Sequence, residues 1–367
     1  MAFILPIYAV PDFEQPLFAD APPVDFRKAP GNGIAPENYH ATSIYPEYFQ
    51  VKKGQWILPE ESRMDCVVVL EEGGALSVKE FRNIRQGDLV ACGRGENCED
   101  GIFVHAGAFD IHNLPDEKFA FRSRITRETS FSIDYDELYE LLKYERENGH
   151  IVWVLGPAVV FDRDARIAFA GLVESGYVHA LLAGNALATH DVEAALFSTG
   201  LGQDIYSKQS VPLGHYNHLD AINTIRRTGS IEKAVEQGRI TDGVMRSVIK
   251  NSIPYVLAGS IRDDGPLPEV TPDVYLAQDQ MRSITRRATT IIAMATQLHA
   301  IATGNMAPSY KVLEDGRVRP VYFYTVDMSE FAVNKLANRG SLTARSILTN
   351  VQDFVVTVER GLLYTRP

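Results

Sequence analysis

Four short apolar runs, at residues 151–155, 178–183, 255–258 and 321–326, each end in small or polar residues. Their length and apolar content suit β-strands that are covered on both faces. Residues 136–147 and 164–175 instead have apolar side chains at helical spacing. Because strands alternate with helices, this part of the chain is predicted to be an α/β domain with a parallel sheet and crossover helices.

Residues 36–110 show a different pattern, in which short strands are separated by turn residues. Lys53-Gly54 interrupts the run 49–58, Gly73-Gly74 separates 65–70 from 75–81, and 89–92 is a further strand. Residues 1–35, rich in Pro, Asp, Gly and Ala, are predicted to form an extended or partly ordered arm. We predict a β-rich N-terminal domain over residues 1–130 and an α/β domain over 131–367.

A charged loop follows the strand predicted at 255–258. It contains Arg262, Asp263 and Asp264 and ends in Gly-Pro-Leu-Pro. Open α/β sheets bind ligands at the carboxyl ends of their strands, so these side chains are predicted to border a ligand site. An ion-paired surface turn is the alternative interpretation.

Three other segments place polar groups where a predicted element ends. Asn185 and Ala186 follow a strand. They either form a turn that lets a ligand approach the backbone, or Asn185 caps the helix that follows. His299 lies near the end of an apolar stretch, 288–302, that is predicted to be helical; it is either a site residue or a hydrogen-bonded core histidine. Asp327 closes a strand, either to bind a ribose or to cap a helix predicted at 330–337.

Composition limits the class of protein. A net charge of −11 argues against binding to a phosphate backbone but is compatible with a cationic substrate. Three cysteines without a Cys-x-x-Cys pair predict a reduced, cytoplasmic chain rather than a disulfide framework or zinc ribbon. The N-terminus lacks the positive flank of a signal peptide, and no apolar stretch is long enough to span a bilayer, so no membrane partner is expected.

The common nucleotide and metal motifs are missing. No Gly-x-Gly-x-x-Gly follows a predicted strand. His190, Asp191, His215 and His218 are ligand types for a metal, but His-x-x-His spacing alone is a weak signal and no Cys pair supports it. We therefore predict no catalytic metal.

Six phrases, in this order, resemble the archaeal-type ornithine cyclodeaminases of the LOR/SDH domain family. The same module forms the C-terminal part of bifunctional arginine dihydrolase/ornithine cyclodeaminase proteins, and the resemblance covers roughly residues 35–360. The phrases are Val-Leu-Gly-Pro-Ala-Val-Val (154–160), Leu-Leu-Ala-Gly-Asn-Ala-Leu-Ala-Thr-His-Asp-Val-Glu (181–193), Gly-His-Tyr-Asn-His-Leu-Asp-Ala-Ile-Asn (214–223), Val-Leu-Ala-Gly-Ser-Ile-Arg-Asp-Asp-Gly-Pro-Leu-Pro (256–268), His-Ala-Ile-Ala-Thr-Gly-Asn-Met (299–306) and Ala-Asn-Arg-Gly-Ser (337–341).

The resemblance implies a Rossmann-related, deoxyhypusine-synthase-like domain that holds NAD without the glycine fingerprint. It assigns Asp263 and Asn217 to the substrate, and we expect Asp263 to act in proton transfer. The residues that it assigns to NAD are Asn185, Ala186, Asp264, Thr296, Gln297, Leu298, His299, Asp327, Met328, Asn350 and Val351.

The chain departs from the family pattern beside this expected site. Residues 161–164 read Phe-Asp-Arg-Asp where the family has His-Thr-Gly. The family's Ser-Ser-Glu motif is missing, with only Thr129-Ser130 found in its place, and Asn350 replaces the usual Asp.

The implied reaction has no net redox change. Hydride leaves Cα of L-ornithine or a related diamino acid for NAD⁺, the terminal amine attacks the resulting imine, ammonia leaves, and the hydride returns to give proline. The alternatives are an NAD-dependent amino-acid dehydrogenase and a non-catalytic NAD-binding subunit. We expect a homo-oligomer.

Overall fold

The computed structural model describes residues 3–109, 135–329 and 341–364. The domain boundary predicted near residue 130, Thr129-Ser130 and the helix predicted at 330–337 lie outside these ranges. The two predicted domains therefore remain a prediction.

The N-terminal part is β-rich, as predicted from its turn signals. A four-stranded antiparallel sheet has the order β1-β7-β5-β6, and a three-stranded one has the order β3-β2-β8. Residues predicted as an arm contribute β1 to the first sheet, paired with β7. The elements are α1 (Pro16–Ala19), β1 (Asp25–Lys28), β2 (Glu47–Lys52), β3 (Gln55–Ile57), β4 (Glu61–Ser62), β5 (Val67–Leu70), β6 (Leu76–Lys79), β7 (Leu89–Cys92) and β8 (Ile102–Val104).

The rest of the described chain is built around a seven-stranded sheet. Its strands are β9 (Ile151–Leu155), β10 (Ala180–Gly184), β13 (Tyr255–Ala258), β14 (Val270–Thr271), β15 (Thr290–Met294), β18 (Tyr322–Asp327) and β19 (Thr343–Leu348). Two short antiparallel pairs lie outside this sheet: β11 (Thr199–Gly200) with β12 (Gln203–Asp204), and β16 (Tyr310–Val312) with β17 (Val318–Pro320). The sheet order is β14-β13-β10-β9-β15-β18-β19, and every neighbouring pair is parallel. The α/β prediction is therefore confirmed.

Helices cover both faces of this sheet. They are α2 (Tyr135–Asn148), α3 (Arg163–Glu174), α4 (Asn185–Phe197), α5 (Asn217–Thr228), α6 (Ile231–Glu236), α7 (Val244–Lys250), α8 (Val274–Thr285), α9 (Gln297–Met306) and α10 (Val351–Leu363). Successive strand residues point to opposite faces, so Trp153 and Leu155 pack with α3 and α10, whereas Val152 and Val154 pack with α8 and α9. This two-sided burial explains why the strands are continuous apolar runs.

The helix predicted over residues 288–302 is wrong before residue 297 and confirmed from there on. Residues Thr290–Met294 form β15 between β9 and β18, and a new helix, α9, begins only at Gln297. Ala295 between them has φ of 51° and breaks the chain direction. A strand buried on both faces has no period of its own to distinguish it from a buried helix.

The two parts of the chain are joined by backbone pairing. The strand β4 pairs with β16 through Ser62 and Tyr310. No helix among the described residues is long and apolar enough to cross a membrane. Cys66, Cys92 and Cys98 are buried free thiols.

Candidate active site

The carboxyl edge of the parallel sheet gathers most of the residues assigned from the sequence. Asn185 and Ala186 open α4 directly after β10, and Gln297 opens α9 after β15. Asp327 ends β18, and Val351 opens α10 after β19. Because all seven strands are parallel, these ends lie along one edge, where ligands of open α/β sheets bind.

The loop after β13 is held onto α4 by a partly buried hydrogen bond. Leu267 N donates to Asn185 Oδ1 over 3.1 Å, and Thr189 Oγ1 donates to the same oxygen over 3.1 Å. Arg226 adds a second anchor by donating to Pro266 O. Asn185 is thus the first residue of α4 rather than its cap, and its side chain positions the loop.

Asp263 and Asp264 do not form the ion-paired turn that was the alternative interpretation. Within the described residues no ion pair joins either carboxylate to Arg262. Ser260 N donates to Asp263 Oδ2 over 2.8 Å, and Asp263 N donates back to Ser260 O over 3.1 Å, so a local turn holds Asp263 half-buried. Asp264 is exposed.

His299 is packed beneath this loop. Its Cε1 lies 2.8 Å from where a Cβ on Gly184 would be, and its Nδ1 is 3.2 Å from Thr296 Oγ1. Burial lowers the pKa of His299, against the opposing attraction of Asp263. The imidazole is therefore neutral at neutral pH, and it lies between the end of β10 and the turn that follows β15.

The neighbouring residues at the start of α9 differ in exposure. Thr296 is partly buried, whereas Gln297 and Leu298 are exposed. No side chain caps this helix or α4, because neither Thr296 nor Gly184 makes a capping bond.

Farther along the same edge, Asp327 ends β18 and Asn350 follows β19, and these two strands are paired. Thr349 N donates to Asp327 O over 3.1 Å, and Ser329 N donates to Asp327 Oδ1 over 2.9 Å. Asn350 caps α10, with its Oδ1 accepting from Gln352 N over 2.8 Å. Met328 is exposed, whereas the side chain of Val351 is in the core and leaves only its backbone facing the edge.

Gly156 allows the end of β9 to pass against the turn before α9. A Cβ at this position would lie 1.9 Å from Ala295 O and 3.2 Å from Thr296 Cβ. The close approach is between two backbones, so no side-chain rotation relieves it.

We expect Gly156→Ala to push Ala295 and Thr296 out of place. Overpacking of this kind costs about 1–3 kcal/mol of stability, and NAD affinity should fall with it because the start of α9 moves. Urea unfolding and calorimetric titration with NAD measure the two effects. Gly171→Ala is the matched control, since its Cβ would approach no heavy atom closer than 3.4 Å. Unchanged stability in Gly156→Ala would contradict the steric argument.

Asn217 belongs to a second group of polar residues, on α4, α5 and β11. Its Nδ2 donates to Thr199 Oγ1 over 2.9 Å, and Thr199 Oγ1 donates to Glu193 Oε1 over 2.8 Å. His190 Nδ1 donates to the other oxygen of Glu193 over 2.7 Å. Thr199 and Glu193 were missed by the sequence reasoning, although the polar run Thr189-His190-Asp191 between apolar residues of α4 was a detectable signal.

Two of the four residues considered as metal ligands, His190 and Asp191, are engaged in other bonds. His190 binds Glu193, and Asp191 binds Arg166 and the backbone amides of Val244 and Met245. Across the described ranges no group of three or more His, Cys, Asp or Glu residues is arranged to hold a metal. The absence of a catalytic metal remains a prediction.

Phe161, the first residue of the segment that departs from the family pattern, lines a small cavity. The cavity of about 200 Å³ is lined by Phe161, Gly200, Leu201, Gln203, Asp204, Lys208 and Gln352. Asp162 is paired with Lys208 Nζ over 2.8 Å and caps α3 through Ala165 N. Its charge is therefore already compensated by Lys208. Larger cavities lie elsewhere, one of them against α2, α3 and α10.

Comparison with known proteins shows which families share this architecture. A family model described as arginine dihydrolase ArgZ-like, C-terminal, Rossmann fold, matches residues 137–358. The ornithine cyclodeaminase of Methanocaldococcus jannaschii is 41% identical over 347 residues, covering 90% of this chain and 76% of that protein. The bifunctional arginine dihydrolase/ornithine cyclodeaminase ArgZ of Synechocystis sp. is 35% identical over 340 residues, covering 91% of this chain and 46% of that protein.

Solved structures agree with these relatives. A LOR/SDH protein of Methanococcus maripaludis S2 matches with a TM-score of 0.77 and 34% identity, covering 94% of this chain and 98% of that one. The ternary complex of AgrE with ornithine and NAD⁺ matches with a TM-score of 0.57 and 31% identity, covering 94% of this chain and 46% of that one. The resemblance inferred from the six phrases is confirmed, and the chain belongs to the family of enzymes formed by the archaeal ornithine cyclodeaminases and the C-terminal Rossmann-fold part of the ArgZ-like arginine dihydrolases.

Proposed function

We propose that this protein is an NAD-dependent cyclodeaminase. It converts L-ornithine, or a related diamino acid, to proline or a cyclic imino acid with release of ammonia, and NAD is recycled within each turnover. The observation that carries the proposal is the meeting of Asn185, Asp263 and His299 at the carboxyl edge of the sheet. The AgrE complex, in which a relative with the same fold holds both ornithine and NAD⁺, supports the same ligands here.

The donors along this edge fit a dinucleotide. The first turns of α4 and α9 have no side-chain cap, so their amide groups can receive the pyrophosphate, which helix N-termini favour. The Asp327 carboxylate at the end of β18 can accept from ribose hydroxyls. The remaining residues that we assign to NAD are Ala186, Asp264, Thr296, Gln297, Leu298, His299, Met328, Asn350 and Val351.

When bound, NAD supplies reversible hydride transfer. The protein must supply a base, because an α-ammonium group has to lose a proton before hydride can leave Cα. Asp263 serves as that base. One of its oxygens is held by Ser260 N, and the loop is fixed to α4 through Asn185, so its position is defined. Asn217 faces the substrate.

Incubation of the purified protein with ornithine, lysine, diaminobutyrate and arginine, followed by mass spectrometry, tests the proposal. We expect cyclic product and ammonia from ornithine or a diamino acid of similar length, without accumulation of NADH. Stoichiometric NADH would instead indicate an amino-acid dehydrogenase, and absence of any product would indicate a subunit that only binds NAD.

Asp327→Ala tests the cofactor assignment. Hydrogen bonds to a charged group contribute about 1.5–3 kcal/mol, so calorimetric NAD affinity should fall by that amount. Asp315→Ala, an exposed carboxylate in the turn between β16 and β17, is the control. Unchanged NAD affinity in Asp327→Ala would remove Asp327 from the site.

A further inference from the structure

A chain of hydrogen bonds runs from the buried Glu193 to Asn217. The Glu193 side chain is wholly buried, and its two oxygens accept from His190 Nδ1, Thr199 Oγ1, Leu201 N and Gly202 N over 2.7–3.2 Å. Thr199 is 1% exposed and accepts in turn from Asn217 Nδ2. Asn217 itself is half-buried and opens α5.

The ionisation of Glu193 determines which group donates and which accepts in each of these hydrogen bonds. Burial by itself would raise the pKa of Glu193, but hydrogen bonds from His190, Gly202 and Thr199 outweigh burial and lower the pKa. The carboxylate is therefore ionised and can only accept hydrogen bonds. Thr199 must use its one proton toward Glu193, which leaves its lone pairs to accept from Asn217.

The orientation of the Asn217 amide is fixed as a result. Its NH₂ group faces Thr199, and its carbonyl oxygen is directed away from the chain of bonds. Within the described residues this oxygen accepts no side-chain hydrogen bond. A carbonyl oxygen accepts hydrogen bonds, and an ammonium group only donates them.

We propose that Glu193 and Thr199 are positioning residues that lock Asn217 with its carbonyl oxygen toward the substrate, so that the site selects an ammonium group. The inference rests on the proposed function, because it assumes that a diamino acid binds beside Asn217. Glu193 does not touch the substrate; it acts through Thr199. His190 holds the second carboxylate oxygen and so keeps Glu193 in place.

A double-mutant cycle on the full-length protein with NAD tests this role, with L-ornithine as the titrant in calorimetry. Thr199→Val keeps the shape of the side chain but removes both bonds, which frees the Asn217 amide to turn. We expect ornithine affinity to fall roughly 10–100-fold, the range for hydrogen bonds to charged groups. Thr199→Ser should restore it, and NAD affinity should stay within about twofold in all variants, since sites without shared partners are independent.

The second arm of the cycle separates positioning from simple structural damage. Asn217→Leu removes the proposed acceptor and should weaken ornithine binding on its own. In the Asn217→Leu background, Thr199→Val should then have little further effect, because residues acting as one unit are not additive. Thr290→Val is the control: this threonine starts β15 at the opposite edge of the sheet, is also buried, and its hydroxyl has no hydrogen-bond partner among the described residues.

Two results would overturn the inference while leaving the proposed function intact. One is ornithine affinity in Thr199→Val equal to that of the parent protein. The other is an equal loss from Thr199→Val in both backgrounds, which would mean that Thr199 acts independently of Asn217. If the parent protein itself neither binds nor converts ornithine or another diamino acid, the proposed function fails, and this inference fails with it.

Discussion

Replacement of Asp263 by Asn is expected to slow the turnover of L-ornithine by about 10²–10⁴-fold, the usual contribution of a general acid or base. Asparagine has nearly the same shape, and its Oδ1 can still accept from Ser260 N, as Asp263 Oδ2 does over 2.8 Å. The variant loses the negative charge and the ability to take a proton from the substrate ammonium group. NAD affinity should be preserved because the loop keeps its anchors to Asn185 and Arg226.

Steady-state kinetics and NAD titration measure the two expectations for Asp263→Asn. Asp273→Asn is a matched control: Asp273 also accepts from backbone amides, those of Tyr275 and Leu276, and asparagine caps helices equally well. Full activity in Asp263→Asn would remove Asp263 from the proton-transfer role without affecting the family assignment.

Isotope labelling examines the recycling of NAD in the same enzyme. Ornithine deuterated at Cα should give product that retains the label, because the hydride returns from the cofactor that received it. Release of the deuterium into free NADH would instead favour a dehydrogenase.

A large loss of stability is expected when Arg319 is replaced by Met. Arg319 on β17 pairs with Glu145 on α2, the two side chains are 1% and 0% exposed, and Thr289 also donates to Glu145. Removing one member of a buried pair leaves the other charge without compensation, which costs about 3–5 kcal/mol. Urea denaturation should show this decrease in the free energy of unfolding.

The chain contains a suitable control two residues away. Arg317 pairs with Asp315 over 2.7 Å, but the two side chains are 69% and 51% exposed. Arg317→Met should therefore change stability by no more than about 1 kcal/mol, as surface ion pairs do. The double variant Arg319→Met/Glu145→Leu should recover much of the loss, because apolar replacements of both partners are often tolerated. An equal effect of Arg317→Met and Arg319→Met would contradict the burial argument.

The parallel sheet and the edge of the site were predictable from the chain alone. β-strands covered on both faces are continuous apolar runs, so Ile151–Leu155 and Tyr255–Ala258 were identified at their observed bounds. The carboxyl ends of parallel strands share one edge, which is why Asn185, Asp263 and Asp327 were expected there before any contact was known. Each of these features depends on residues that are neighbours in the chain, and for that reason the sequence alone predicts it.

Tertiary structure decided what depends on partners distant in sequence. Thr290–Met294 is a strand because β9 and β18 flank it, not because its composition differs from that of a buried helix. The ionised Glu193 becomes a positioning group only when Thr199 and the start of α5 are brought against α4. Glu145 is likewise paired with Arg319 only after the chain has folded, because 174 positions separate them. Hydrogen bonds and buried charges are satisfied by whichever groups the fold places within reach, and composition and periodicity contain no record of those distances.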